Sequence, residues 1–556
     1  MTSSPGTTPA AEELRTPQQI RLLVAAIVAL AALVRFWGLD FGLPHTETRP
    51  DESSIVAVAI RIAHGDLHPH FFNYPTLYMY VLAALYWGVY GLGRVGGWFE
   101  SFEQFAHVWT SEAVGPYLVS RALSATAGTA TVAALYLLGR RLFGRQTGVI
   151  AAVFLALAFL HVRDSHFGVT DVTMTLLVVC AVYWLVKAFQ RGRARDFVLA
   201  GLFSGLATST KYQGVLLILC MLVVQGVGVV KGRFPSGLRP ALGRVALFCI
   251  PFTLACIAGT PFALVDPARF WRDVSFEMQH VQRGHGPDLG PGWLYHCSVL
   301  LPSALGWPLV SAGALGLLVS GVWHAVEAAL VWSFPAFYYA ISGSSRVVFA
   351  RYMVPLVPFL CLSAAVFTRA VNEALFRRLP GWARGLTLLA ACALIVFPSV
   401  ARVIAFDRLL TRPDSRLVAA DRLSPWISEE TSVYQTGSRY GQLQLGRRLP
   451  LWTFDEDRRA FTVNDVPTEA FPDWIVVQRS PIRYYSQVPR GLEDVLRACY
   501  GLSGTVLAMT PSESRVYDQQ DAFFLPLDNF SGVRRPGPDI YLYQRLDIPH
   551  CVHRGP

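Results

Sequence analysis

Apolar stretches recur along this chain with the length and spacing of membrane segments. The first, Ile20 to Trp37, is followed by Leu77–Leu92, Tyr117–Leu138, Val149–Leu160, Val172–Phe189, Phe197–Thr208 and Val215–Val230. Further runs are Ala241–Pro261, Val299–Val322, Ala328–Ile341, Met353–Phe367 and Leu386–Val403. Many approach the roughly 20 residues a helix needs to cross a bilayer. Beyond Val403 the runs stop, and Asp, Arg, Ser, Pro and Tyr become more frequent from about Ala405. There, short strand-like runs at Ser432–Gln435, Trp474–Gln478, Thr505–Met509 and Ile540–Tyr543 alternate with helix-like patterns such as Arg416–Ile427. The pattern predicts a polytopic α-helical membrane domain over 20–404 and a soluble α/β domain over 405–556. Met1 to Gln19, rich in Thr, Ser and Pro, is expected to be disordered. No small-residue cleavage site follows the first apolar run, so that run is expected to be retained as a helix.

Charge orients the spans. Basic clusters at Arg140–Arg145, Lys187–Arg195, Lys231–Arg244 and Arg377–Arg384 sit in short connections between apolar runs, and Arg15 and Arg21 precede or open the first. Placing all of them in the cytoplasm obeys the positive-inside rule only if the aromatic segment Tyr74–Gly91 lies along or dips into the outer interface instead of crossing. Residues 38–116 then form one long external loop. The expectation is about eleven spans, an N-terminus inside, and a C-terminal domain outside the cell membrane.

Composition agrees. Of 556 residues, 53% are hydrophobic and only 15% charged, which is not the balance of a typical soluble protein. The net charge of +10 is carried by those short loops, so it indicates orientation and gives no support to a nucleic-acid partner. The nine cysteines show neither CxxC nor zinc-ligand spacing. Cys499 and Cys551 could pair if their side is oxidising, and two free thiols fit the sequence equally well.

Candidate chemistry gathers on the external side. Arg49-Pro50-Asp51-Glu52 follows the first span, and a carboxylate pair there must face water or a wet cavity, since burial in hydrocarbon is costly. Taken alone, Asp51 and Glu52 need only open a helix and complement its dipole. With Asp66, Asp164 and Asp171 on the same side, and Arg163, Lys211, Arg346 and Arg351 among the cations, they form a candidate charge-handling site. Each member also has a plainer reading: Lys211 and Arg351 as lysine and arginine reaching to lipid headgroups, Asp171 as a helix-opening acid, the histidines as interface residues. The turn between Leu160 and Val172 is expected to carry His161, Arg163, Asp164, His166 and Asp171 outward. A later external loop, Ala263 to His296, brings Trp271, Arg272, His280, Arg283 and His285.

In this order the motifs resemble a known group. Arg49-x-Asp51-Glu52, Gly65-Asp66-x-x-Pro69 and Tyr74-Pro75-x-Leu77 are similar to the first external loop of polyprenyl-phosphate-sugar-dependent glycosyltransferases. These enzymes have the GT-C fold and include protein O-mannosyltransferases and lipid A aminoarabinose transferases. Arg121-Ala-Leu-Ser124, Gly139-Arg-Arg-Leu-Phe-Gly144, Thr170-Asp171, Thr210-Lys211-Tyr212-x-Gly214 and Arg351-Tyr352-x-x-Pro355-x-x-Pro358 extend the likeness over roughly residues 20–370. The chain departs from aminoarabinose transferases where Tyr74-Pro75-Thr76-Leu77 replaces Lys-Pro-Pro-Leu. It also lacks the inserted repeat domains that many O-mannosyltransferases carry in a later external loop. Neither a lipid A nor a protein acceptor is therefore implied, and the acceptor stays open among glycan, lipid and protein.

The resemblance implies transfer of a sugar from a polyprenyl-phosphate donor. Asp51 would be the base that deprotonates the acceptor, with Glu52 and Asp171 orienting sugar or acceptor. Lys211, Arg351, Arg163 and Arg346 would meet the charge growing on the departing lipid phosphate. Tyr74, Tyr212, Tyr352 and His166 would contact substrate. No cofactor is required: acids from two loops are compatible with a divalent metal, but a lipid monophosphate met by lysine and arginine does not need one. Two other classes compete, a secondary transporter or flippase for an anionic or lipid-linked substrate and an inactive sugar-lipid-binding scaffold. The absence of an internal repeat, and the clustering of polar residues at one face, count against the transporter.

Overall fold

Among the described residues, helices make up most of the chain up to Leu423, and strands appear only after it. The computed structural model describes residues 17–111, 114–446, 449–512, 514–548 and 551. Most of the expected disordered N-terminus lies outside these residues, but Pro17 to Gln19 already belong to the first helix, Pro17–Phe36.

Among the described residues, seven helices are long and apolar enough to cross a membrane, such as Val114–Phe143, Thr170–Arg191, Leu238–Gly259 and Ala350–Phe376. An eighth is added if Arg145–Ala156 and Phe159–Ser165, bent by 58° at a short break, count as one. Length and composition thus account for seven or eight crossings, not eleven. The remaining expected spans are present as helices but are shorter or more polar: Ala194–Thr210 and Trp307–Trp323 have 17 residues each. Leu77–Val95, with four tyrosines and a tryptophan, is not among the candidate spans.

The break after Ala156 overturns the expectation of an unbroken run followed by an exposed turn. Phe159–Ser165 is a short, fully buried helix instead. A helix that stops inside the protein leaves carbonyls without partners, and Arg35 supplies them: its guanidinium donates to Leu155 O and Ala156 O at 3.0 Å each. Close helix approach follows small residues. Gly201 and Gly205, one turn apart, face Leu238–Gly259, where an added Cβ would come 2.1 Å from Phe248 O and 2.3 Å from Phe252 O.

In the C-terminal region β1 (Val433–Gln435), β2 (Trp452–Asp455), β3 (Ala460–Val463), β4 (Val466–Thr468), β5 (Trp474–Arg479), β6 (Tyr500–Val506) and β7 (Asp539–Arg545) form two sheets. The larger has the order β1-β5-β7-β6, parallel only between β1 and β5; β2-β3-β4 is an antiparallel meander. Val477 and Ile475 of β5 face the helix Leu492–Cys499 on one side, while Val476 and Trp474 face Ser415–Leu423 on the other, the alternation a two-sided strand requires. Cys499 and Cys551 are joined by a disulfide, which resolves the pairing the sequence left open.

Candidate active site

The loop after the first helix is pinned from below. Glu52, the first residue of the helix Glu52–Ala63, has no exposed surface and receives Arg121 through Nε (3.1 Å) and Nη2 (2.8 Å). The amide of Gly168 donates to the same carboxylate at 2.6 Å. Arg121 also donates to Leu39 O and Phe41 O and lies 3.8 Å over the Phe41 ring. Only glycine fits at 168, since a Cβ would come 2.4 Å from Ser120 Oγ. Glu52 is thus a buried staple that lines neither of the two cavities described below, which corrects the expectation that it orients a substrate: its oxygens are taken by Arg121 and Gly168.

Stapling Glu52 turns its neighbour outward. Asp51 adopts a left-handed backbone, φ 72°, uncommon for a residue other than glycine and characteristic of sites where strain is retained for a purpose. Its carboxylate opens on a cavity of about 300 Å³. Arg351 Nη2 lies 3.0 Å from Asp51 Oδ2, and Tyr74 Oη donates to the same oxygen at 3.1 Å. The opposite edge of Arg351 reaches Asp521 at 3.2 Å, and Asp521 pairs with Arg49 at 2.5 Å. Burial opposes charge on Asp521, but Arg49 and Arg351 outweigh it and hold the carboxyl below its usual range.

Beyond this chain of charges, the cavity is walled by Tyr352, Phe276, Glu277, His280, His285, Tyr440 and Tyr485, among others. Asn73 donates to Glu277 at 2.7 Å, fixing one side of that carboxylate. Tyr485 Oη donates to Gln520 O at 2.7 Å and lies 2.6 Å from His285 Nε2. The single phenol proton goes to the carbonyl, so His285 Nε2 is the donor and Nδ1 keeps the lone pair. Burial, with His280 and Arg351 nearby, pushes the imidazole below the usual histidine range, so it is neutral at pH 7.

The other expected residues fall elsewhere. Lys211 and Asp171 are paired to each other, both nearly buried, with Lys211 Nζ 4.9 Å from the Tyr352 ring and neither residue among those lining the cavity. Burial also removes the reading of Lys211 as a lysine reaching to lipid headgroups. Arg163 is buried against Phe167 and Phe523 and paired with Asp164 at 3.0 Å. His166 is held between Val162 O and Trp37 O. Arg346 is largely exposed, 3.8 Å from Asp288. None of these three lines the cavity: Arg163 and His166 because the expected external turn at 161–171 is folded into the protein, Arg346 because it is exposed beside Asp288. Tyr74 and Tyr352 do line it, whereas Tyr212 lines a second, almost wholly apolar hollow of about 200 Å³ with Pro75, Cys256, Ile257, Leu264 and Phe270. Tyr74 lines the polar cavity, and its neighbour in sequence, Pro75, lines the apolar hollow. Sequence reasoning gave no site role to Asp521, Glu277, His280, His285, Tyr440 or Tyr485; their only signal was that His280 and His285 lie in an external loop.

In fold, this architecture is similar to solved GT-C proteins. The family model for dolichyl-phosphate-mannose-protein mannosyltransferase matches residues 116–250, less than half of the chain. Among solved structures, the chain is similar to ArnT from Cupriavidus metallidurans in the apo state, with TM-score 0.51 and 17% identity over 94% of this chain and 98% of that one. It is likewise similar to the apo oligosaccharyltransferase of Archaeoglobus fulgidus, with TM-score 0.51 and 14% identity over 75% of this chain. A third likeness is to the archaeal oligosaccharyltransferase AglB from Archaeoglobus fulgidus in complex with an inhibitory peptide and a dolichol-phosphate, with TM-score 0.50 and 14% identity over 76% of this chain. The chain spans about three-fifths of the length of these archaeal proteins, 59% and 63%. No curated protein matches it in sequence.

Proposed function

We propose that the protein is a membrane glycosyltransferase that moves a sugar from a polyprenyl-phosphate donor to an acceptor on the extracytoplasmic side, with Asp51 as the base. One observation carries this reading: a carboxylate paired with a guanidinium faces a polar cavity, and the chain that lines it at Tyr74 lines an apolar hollow at Pro75. A lipid-linked sugar has three matching parts, a hydroxyl-rich head, an anion and a hydrocarbon tail. The tail suits the hollow beside Tyr212, the phosphate suits Arg351, and the sugar suits the cavity walled by Glu277, His280 and tyrosines.

Asp51 accepts the proton of the attacking hydroxyl as the bond from the anomeric carbon to the phosphate oxygen breaks. Arg351 then faces an oxygen gaining negative charge within hydrogen-bonding distance of the base. Lys211, neutralised by Asp171, supports the wall behind Tyr352 and does not meet the phosphate directly. The acceptor is a glycan, lipid or protein at the membrane surface, and His285, neutral with a free nitrogen, is placed to bind one of its hydroxyls.

The test is mass spectrometry of envelope glycans and polyprenyl-phosphate sugars in cells with the gene, without it, and with Asp51→Asn. Loss of one glycan with accumulation of one lipid-linked sugar is expected in both altered strains. Full complementation by Asp51→Asn would remove Asp51 as the base.

A further inference from the structure

Asp518 to Leu527 is a segment of the C-terminal region that is packed into the membrane domain. Phe523, Leu525 and Leu527 belong to the same buried cluster as the transmembrane helices, and Phe523 packs edge-on against Phe41 and Phe167. Asp518 accepts from the Ala350 amide at 2.7 Å. Gln520 accepts from the Val348 amide at 2.7 Å and donates to Pro287 O and Arg346 O. With both flanks anchored, Asp521 is delivered between two arginines 2.5 and 3.2 Å away, and Arg351 continues to Asp51 at 3.0 Å. Arg49 has little else to hold, since its Nε and Nη2 are buried without a hydrogen-bond partner.

We infer that Asp521 is a positioning residue that sets how much of the Arg351 guanidinium is available to an entering lipid phosphate. The inference rests on the reading of Arg351 as the phosphate cation. A guanidinium has a fixed fork of donors. One terminal nitrogen meets Asp51 and the other Asp521, so a phosphate that approaches either nitrogen shares it with a carboxylate. Arg49 in turn draws Asp521 away from Arg351. The row Asp51–Arg351–Asp521–Arg49 is therefore a balance, with the C-terminal region acting on the phosphate site through a single carboxylate.

Two substitutions shift that balance in opposite directions. Full-length protein in nanodiscs is titrated with undecaprenyl phosphate, which carries no sugar and needs no turnover. Asp521→Asn releases Arg351 and is expected to tighten binding about three- to tenfold. Arg49→Gln leaves Asp521 to Arg351 alone and is expected to weaken binding by a similar factor, about three- to tenfold. Both effects should vanish in an Arg351→Gln background, and Asp521→Glu, which restores the charge, should stay within about twofold of wild type. A merely structural role would instead lower affinity and unfolding temperature together in both variants, and that result would overturn the inference. If Asp521→Asn does not fold, Arg49→Gln and Asp521→Glu decide it: unchanged affinity in the first or a large loss in the second overturns it. Wild-type protein that ignores undecaprenyl phosphate would overturn the donor reading and this inference with it, whereas wild-type binding with no change in the variants would overturn the role of Asp521 alone.

Discussion

Asp51 and Glu52 are neighbours in sequence with opposite fates, and the backbone between them decides it. The left-handed turn at Asp51 sends one carboxylate to the cavity and the other into a closed pocket with Arg121. Their substitutions should therefore fail differently. Asp51→Asn keeps size and hydrogen bonding and should lower sugar transfer at least about a hundredfold with the protein still folded, as removal of a general base does. Glu52→Gln leaves Arg121 buried without a counter-charge and should cost about 3–5 kcal/mol, seen as a drop in the unfolding temperature of purified protein before any assay is run. A third residue makes a pH prediction. Burial, with Asp521 adding repulsion, pushes the Asp518 carboxyl up to about 6. A raised acid is held in its protonated form by the fold, so its contribution is full below about 3.8, falls as pH rises and is gone above about 6. Wild-type unfolding temperature should fall by a few degrees across that interval. Asp518→Asn, which can still accept from Ala350 N–H, should flatten this part of the profile, and an unchanged slope would refute the assignment.

At the scale of elements, the apolar runs were legible because burial in lipid leaves a signal in every consecutive residue. Three strands of the larger C-terminal sheet, β1, β5 and β7, were legible to within two residues because β-branched and aromatic positions cluster there, whereas β6 begins five residues before the expected Thr505 and β2, β3 and β4 were not foreseen. What escaped was the break in the fourth run, Val149–Leu160. Nothing in Val149–Leu160 marks it, because the partner that makes the break tolerable, Arg35, lies in a different helix. The same holds for Gly201 and Gly205, whose spacing is visible but whose facing helix is not. Gly205→Val should force the helices Ala194–Thr210 and Leu238–Gly259 apart, costing about 1–3 kcal/mol, and thermal unfolding in detergent measures it.

At the scale of the whole molecule, the candidate site was half legible. Asp51, Tyr74, Arg351 and Tyr352 could be found because they sit in motifs of the membrane domain. Asp521, Tyr440 and Tyr485 could not, since no periodicity links a soluble domain to a cavity under it. Orientation is the remaining expectation at this scale. The basic loops place 405–556 outside, so in a Cys297→Ser background that removes the exposed thiol, Ser503→Cys should react with a membrane-impermeant reagent in cells whose outer membrane, if present, is permeabilised. Ser236→Cys, in a basic loop, should not react, and the reverse pattern would invert the whole map.

The ion pair between Arg49 and Asp521 joins residues 472 positions apart. A ribosome makes the first long before the second, and everything between them has to be inserted or exported in the meantime. A nascent chain that already displays Asp51 therefore still lacks a wall of its cavity and one of the two anions that hold Arg351. On the proposed reading, a chain made only as far as its membrane helices would hold Asp51 without the Asp521 that steadies Arg351, so sugar transfer would wait for the C-terminal region.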